Sequence, residues 1–230
     1  MKIVAISDTH CQLQKIAEKY PMTGDLLVHA GDLTYRGDLK EMPSQLYDLG
    51  QLGKKFKHGA VFICGNHDWL GEREPGILQA LAEENGIVWL QDQEITIGGV
   101  RIWGSAYTPA FCQWAFQTDP YGEEGPDPEE VWSKVPEGVD LLLTHGPSFG
   151  HLDTPGGQSN HVGCPYLMRH IQRIKPKIQV SGHIHGSHGH VLGADGILYV
   201  NASICNENYD PNNKPVVIDY ADGIATVVDS

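Results

Sequence analysis

The sequence predicts an α/β protein with a largely parallel sheet in its first half and a β-rich second half. Three observations carry this. Short apolar runs at 2–7, 25–30 and 60–64 are each followed by a stretch of helical character, the order that lays crossovers over parallel strands. After residue 93 the apolar runs are joined by Gly- and Asn-containing turns instead. Several of these runs stop abruptly at Gly, Asp, Asn or His, as strands do when they deliver polar side chains to a common edge.

Taken in order, 2–7 is a buried strand, and a helix over about 12–20 is stopped by Pro21. The run 25–30 is the second strand, ending at Gly31-Asp32, and 43–55 is helical. The third strand, 60–64, closes at Gly65-Asn66, and 75–85 is a helix with Pro75 at its start and Gly86 just past its end. Residues 94–97 and 100–104 form a hairpin through Gly98-Gly99. The polar, aromatic, Pro- and Gly-rich stretch 107–128 reads as a long surface loop, a length at which loops are often lids. A strand at 139–144 ends at His145, the loop 148–162 leads into a helix at 165–174, and a strand at 177–181 ends at Gly182-His183. Short strands at 196–200, 215–219 and 224–228 complete the chain. With no repeat, low-complexity tract or linker, residues 1–230 read as one domain.

Composition excludes several classes. No run of 18 apolar residues occurs, so no spanning helix and no membrane partner is expected. The N-terminal stretch lacks a charged segment followed by an apolar one and a cleavage site, which leaves the cytoplasm as the expected location. Five scattered cysteines without a CxxC argue against a disulfide framework and a zinc ribbon. The formal charge of −13 and the lack of a basic stripe count against nucleic acid as partner. The nearest basic cluster, Lys54-Lys55-Phe56-Lys57, reads as a helix end. A small substrate and bound cations suit this balance better. Oligomeric state is not legible.

The chemistry sits in five segments: Asp8-Thr9-His10, Gly31-Asp32, Gly65-Asn66-His67-Asp68, His145 after Leu143-Thr144, and Gly182-His183-Ile184-His185. If their strands are neighbours, all five converge on one edge. In extended chain, residues two apart point the same way, so Asp8 and His10 could share an ion, as could His183 and His185. Glycine before Asp32, Asn66 and His183 permits close backbone approach. Imidazole, carboxylate and amide suit Zn, Fe, Mn or Ni, and no thiolate is involved. Asp8, His10, Asp32, Asn66, His145, His183 and His185 are too many donors for one catalytic ion. They suit a pair about 3.5–4 Å apart.

These ordered segments resemble the calcineurin-like metallophosphoesterase superfamily, whose pattern is D-x-H, GD, GNH[DE], H and GHxH. The likeness spans about residues 3–190. Val162-Gly163-Cys164, Pro176-Lys177 and Tyr199-Val200-Asn201-Ala202-Ser203 are further similar to its metallophosphoesterase-domain-containing (MPPED) group. In part of that group the first His of GHxH is Gly, whereas here His183 stands.

The resemblance implies a four-layer αββα sandwich of two mixed β-sheets with flanking helices. It implies one ion on Asp8, His10 and His185, a second on Asn66, His145 and His183, and Asp32 bridging them. The expected ions are divalent, manganese first, with Fe, Zn, Ni, Co or Mg as alternatives. His67 would be a catalytic non-ligand, a general acid facing the phosphate, with Asp68 orienting it. A hydroxide bridging the ions would attack phosphorus. Small diesters such as cyclic nucleotides are the implied substrates. A phosphomonoesterase, a nuclease and a non-catalytic scaffold are the alternatives.

Arg36, His161 and His188 are candidate substrate contacts, each weighed against a plain surface role. Trp103, Tyr107, Phe111, Trp114 and Phe116 could form a stacking wall or pack on the core.

Overall fold

Strand β1 (Lys2–Ile6) is apolar at nearly every position, and both its faces are covered. Val4 and Ile6 point to one layer of side chains, Ile3 and Ala5 to another. That is how a strand between two apolar layers reads. The computed structural model describes residues 1–156 and 158–228.

In chain order β1 is followed by α1 (Leu13–Lys19), β2 (Leu26–His29), α2 (Met42–Gly53), β3 (Ala60–Phe62), α3 (Trp69–Arg73), α4 (Pro75–Glu84) and β4 (Ile87–Trp89). Strands β1 to β4 are parallel neighbours, as the strand–helix alternation predicts. Two antiparallel strands, β13 (Val216–Ala221) and β14 (Ile224–Val227), extend the sheet beyond β1.

The second sheet begins with the hairpin β5 (Gln93–Ile97) and β6 (Val100–Ser105). The small ribbon β7 (Thr108–Pro109) and β8 (Gln117–Thr118) and helix α5 (Pro128–Ser133) follow. Then come β9 (Leu141–Thr144), α6 (Pro165–Ile174), β10 (Ile178–Ser181), β11 (Gly189–Leu192) and β12 (Leu198–Asn201). The spatial order is β11-β12-β10-β9-β6-β5, with β6, β9, β10 and β12 mutually parallel.

The two six-stranded mixed sheets face each other across a shared core. Ile3, Val28 and Val61 from the first meet Ile102, Leu143 and Val180 from the second. Leu46, Leu49 and Leu78 cover the outer face of the first sheet, and Trp132, Leu167 and Ile171 that of the second. This is the four-layer αββα sandwich. Helix α6 shows why the outer layers hold. Cys164 Sγ accepts from Leu167 N at 3.3 Å at its start, and Leu167, Ile171 and Ile174 form one buried stripe.

The stretch 107–128 is not a loop lying wholly on the surface. Ala115, Phe116, Gln117 and Thr118 are buried, and the ribbon β7–β8 anchors them. Its apolar side chains fill the space beside α3, so burial overrides its loop-like composition. Among the described residues no helix is long and apolar enough to cross a membrane.

Candidate metal centre

The carboxyl ends of β1, β2, β3, β9 and β10 lead directly into the five polar segments. The parallel bridge between Ser7 and Ser203 joins the two sheets beside them. Asp8 is fully buried. Its Oδ1 lies 3.2 Å from His185 Nε2, and its Oδ2 accepts from Ser203 Oγ at 2.9 Å. Both oxygens accept from the His183 backbone N at 3.0–3.1 Å. The GHIH segment thus clasps the carboxylate of the first segment across the sandwich.

Convergence comes about differently from the extended-chain expectation. Asp8, His10, Asp32 and His183 all have positive φ, between 40° and 66°, where non-glycine residues are uncommon. The polar segments at Asp8–His10, Asp32 and His183 are therefore tight turns beyond the strand ends, not extended continuations of them. Such strain concentrates where a site over-determines the backbone. The glycines do serve close approach. A Cβ on Gly31 (φ +99°) would lie 2.6 Å from Cys64 O and His145 Nδ1. One on Gly182 would collide with Asp8 and Ser7.

Each key imidazole is held through Nδ1 by a backbone carbonyl: His10 by Thr34 O at 3.1 Å, His185 by Asn206 O at 2.9 Å and His145 by Ala30 O at 2.8 Å. A carbonyl only accepts, so Nδ1 carries the proton and a neutral ring presents its Nε2 lone pair. His10 Nε2 and His185 Nε2 then face each other at 3.3 Å. His145 Nε2 faces Asn66 Oδ1 at 2.9 Å and Asp32 Oδ1 at 3.4 Å. Lone pairs converging in a buried space repel unless a proton or a metal cation lies among them. Asp8–His10–His185 and Asp8–Asp32–His145 each bring ligand atoms within 4.8 Å of one another. The donor set fits divalent cations, with carbonyls orienting each imidazole from behind.

The electrostatics agree. Burial alone raises a carboxyl, but the hydrogen bond and charge of His185 outweigh it and hold Asp8 well below the usual range. Burial likewise opposes ionisation of Asp32, and neighbouring His145 overcomes it. Burial disfavours charge on His145, yet Asp32 beside it pushes the ring up to about 9. Burial and the nearby His145 lower His183 to about 4. The centre is thus a buried anionic pair that gathers positive charge. The His183 ring stands 5.1 Å from that of His145 and lines the cleft, although it belongs to none of the close ligand trios.

Asp32 Oδ1 accepts from His67 N at 2.8 Å, and Oδ2 lies 3.8 Å from His10 Nε2. One carboxylate therefore faces both histidine groups. The His67 ring is bound through Nδ1 to Tyr35 O at 2.7 Å and lies against Trp114, with centroids 4.2 Å apart. Ala115 N donates to Asn66 O at 3.1 Å, so the 107–128 stretch sets Trp114 beside His67.

Asp68 does not hold the His67 ring. Its oxygens accept from Gly65 N, Leu33 N, Thr34 N and Thr34 Oγ1 at 2.6–3.2 Å. Its geometry is spent on two backbone turns, and the ring is left to the Tyr35 carbonyl. Burial first, then the Asp32 charge, raise Asp68 to about 6. Asp68 thus reaches the site through Thr34 and Tyr35, whose carbonyls hold His10 and His67. Asp68→Ala should strand several buried donors and destabilise the fold by about 3 kcal/mol. Thermal unfolding should fall by roughly 6–12 °C for a chain of this size; an unchanged midpoint would remove the bracing role.

A cleft of about 810 Å³ opens over Asp32, Asn66, His67, His183 and His185. Phe111 and Trp114 form one flank, and Pro155, Gln158 and Val162 another. Trp103 and Phe116 are core residues, and Tyr107 packs against the core, so only Phe111 and Trp114 of the predicted aromatic wall reach the cleft. Arg36, His161 and His188 do not line it. Arg36 is exposed, on a turn held by Glu41. His161 is drawn to the buried Asp153 carboxylate at 2.6 Å, while its neighbours Asn160 and Val162 face the cleft. His188 is partly buried, with no hydrogen-bond partner for Nδ1 among the described residues.

Sequence reasoning missed Tyr35, Asn206, Glu207 and Tyr209. Asn201 and Ser203, noted only as a likeness, act directly. Asn201 Nδ2 donates to Ile184 O at 3.0 Å and ties down the GHIH turn, and Ser203 binds Asp8.

Calcineurin-like phosphoesterase is the family matched, over residues 1–187. Metallophosphoesterase domain-containing protein 1 of Homo sapiens is 37% identical over 241 residues, covering 95% of this chain and 70% of that protein. A UPF0046 protein of Caenorhabditis elegans is 32% identical over 94% of this chain and 74% of its own length. Among solved structures, TT1561 of Thermus thermophilus matches with a TM-score of 0.64 at 13% identity, covering 99% of this chain and 97% of that one. An archaeal phosphodiesterase matches at 0.50 and 15% identity, covering 99% of each. At these identities the structural likenesses bear on the fold alone.

Proposed function

The chain belongs to the calcineurin-like phosphoesterase family, and from that premise we propose that it hydrolyses small phosphodiesters at a centre of two divalent ions. Asp8, His10 and His185 would hold one ion, Asn66, His145 and His183 the other, and Asp32 both. The observation that carries this reading is the meeting of His10 and His185. Both Nδ1 atoms are bound to carbonyls and both Nε2 atoms point at one another beside Asp8. When bound, such a pair of ions supplies an activated water and a clamp on the phosphoryl oxygens. Carboxylate donors suit manganese and imidazole donors zinc, iron or nickel, and manganese is the ion with which the test begins.

His67 fits the role of general acid. Tyr35 O fixes its Nδ1–H, and Nε2 is left toward the cleft, 4.0 Å from Asp32 Oδ2. Protonated there, it gives its proton to the departing ester oxygen. Trp114 against its face limits ring rotation.

The cleft supports diesters over monoesters. No Lys or Arg is among its described lining residues. Its one carboxylate outside the ligand set, Glu207, accepts from Gly156 N at 2.7 Å. A monoester dianion would find no added cation, whereas a diester monoanion needs none. Phe111 and Trp114 offer flat apolar surface to the ester group, and cyclic nucleotides are natural candidates. All five cysteines are free thiols, which supports a reducing, cytoplasmic setting.

The test is turnover of bis-p-nitrophenyl phosphate against p-nitrophenyl phosphate, with Mn²⁺ restored after chelation, followed by 2′,3′- and 3′,5′-cyclic nucleotides. The diester should have the higher kcat/KM, by on the order of tenfold for a charge mismatch of about 1.4 kcal/mol. A faster monoester would make the protein a phosphatase, and no turnover with any ion would make it a scaffold.

A further inference from the structure

Five ordered segments account for the ligands and for His67, yet one side of the centre is closed by a residue beyond all of them. Tyr209 lines the cleft. Its ring centroid lies 4.8 Å from that of His10, 5.2 Å from His185 and 6.5 Å from His67, each edge to face. No other ring packs on all three of these imidazoles among the described residues. The hydroxyl has no hydrogen-bond partner within the described chain, and the residue is 39% exposed.

The backbone that places this ring is built for the purpose. Tyr209 has φ +61°, which is disfavoured for a bulky L-residue. A turn around Asn206 imposes it. Asn206 Oδ1 accepts from Asn208 N at 2.9 Å and Asp210 N at 3.0 Å, and Asn206 O accepts from Tyr209 N at 2.9 Å. The same Asn206 carbonyl accepts from His185 Nδ1. Gln12, just beyond the DTH segment, donates to Tyr209 O at 2.9 Å. The turn is thus tied to both ends of the Asp8–His10–His185 group, and the position of Tyr209 follows that of the ligands.

We infer that Tyr209 is a substrate-binding residue whose phenolic O–H donates to a non-bridging phosphoryl oxygen at the centre. The inference rests on the phosphoesterase reading of the same site. Its logic is one of supply. A bound phosphodiester presents oxygens that ligand-held ions do not fully occupy, and the described lining residues include no Lys or Arg for them. A neutral donor on a fixed ring meets that need without adding charge. A purely structural shield over the imidazoles would need the ring but not the hydroxyl, and that difference can be measured.

The experiment compares wild type, Tyr209→Phe and Tyr209→Leu in the Mn²⁺-loaded full chain. It measures metal per chain, orthophosphate binding by calorimetry, and kcat and KM on bis-p-nitrophenyl phosphate. Tyr209→Phe should keep both metal and melting temperature. Its affinity for orthophosphate and its kcat/KM should each fall by roughly tenfold or more, as for loss of a hydrogen bond to a charged group. Tyr209→Leu should lose at least as much, which controls for the ring. Wild-type behaviour of Tyr209→Phe in both binding and turnover overturns the inference. A wild type that binds orthophosphate but cleaves no ester refutes the esterase reading, while the binding comparison still decides Tyr209. A wild type that neither binds orthophosphate nor cleaves the diester overturns both.

Discussion

Asp32→Asn should leave the protein folded and close to metal-free. Asparagine keeps the shape of the side chain and can still accept from His67 N, so the Gly65–Asp68 turn stays in place. What it removes is negative charge that faces both histidine groups, His145 at 3.4 Å from one oxygen and His10 at 3.8 Å from the other. If Asp32 bridges, both ions lose a ligand at once. Metal per chain should drop from two toward zero, where loss of a ligand to a single ion would leave one. Turnover should fall by roughly a thousandfold or more, since a metal pair contributes several kcal/mol to the transition state. Asp32→Ala should lose metal in the same way. Metal analysis after gel filtration, with the melting temperature as folding control, decides the matter; two ions retained on the asparagine variant would contradict the bridging role.

Asp32 is also a measure of what a sequence can and cannot disclose about such a site. It is legible because Gly-Asp at the end of an apolar run, a common turn by itself, stands in an ordered series with four other polar segments. The same series marks Asp8, His10, Asn66, His145, His183 and His185, all of which the structure gathers at one edge. The spacing of two explains less than it promises. Asp8 and His10 share a locus because two left-handed residues fold the chain back, not because alternate residues of a strand align. Positive φ in non-glycine residues leaves no mark on a sequence.

Partners that act through the backbone are equally silent. The carbonyls of Thr34, Tyr35, Ala30 and Asn206 orient four imidazoles, and any residue type supplies a carbonyl. Fold elements follow the same division. Helix α6 is legible over its observed span because an amphipathic stripe of ten residues covers nearly three turns. Helices α3 and α5 are five and six residues long, too short for a period to show. Strand β11 is largely exposed and carries no alternation. The stretch 107–128 has the composition of a lid, and local chemistry gives no sign of its buried centre, because what buries it is α3 and the Asn66 turn.

His67→Ala should give the opposite signature to Asp32→Asn, with metal retained and turnover lost. The ring bonds to Tyr35 O and packs on Trp114, and it meets the Asp8–His10–His185 group only by an edge-to-face approach to His10, with centroids 5.0 Å apart. Close approach of His67 to Asp32 and His10 does place its atoms within reach of an ion. Geometry alone therefore admits a ligand role, and the variant separates the two. A general acid contributes about 10²–10⁴-fold, so kcat should fall by that factor while two ions per chain remain. The leaving group sharpens the test. An ester of a good leaving group such as p-nitrophenol needs little protonation and should lose less than an alkyl diester, whose departing oxygen needs the proton. Equal losses on both esters would assign His67 to phosphate binding. Loss of an ion with the ring would make it a ligand, and the Tyr35 carbonyl would then orient an imidazole toward metal, as the carbonyls behind His10 and His185 would in the proposed centre.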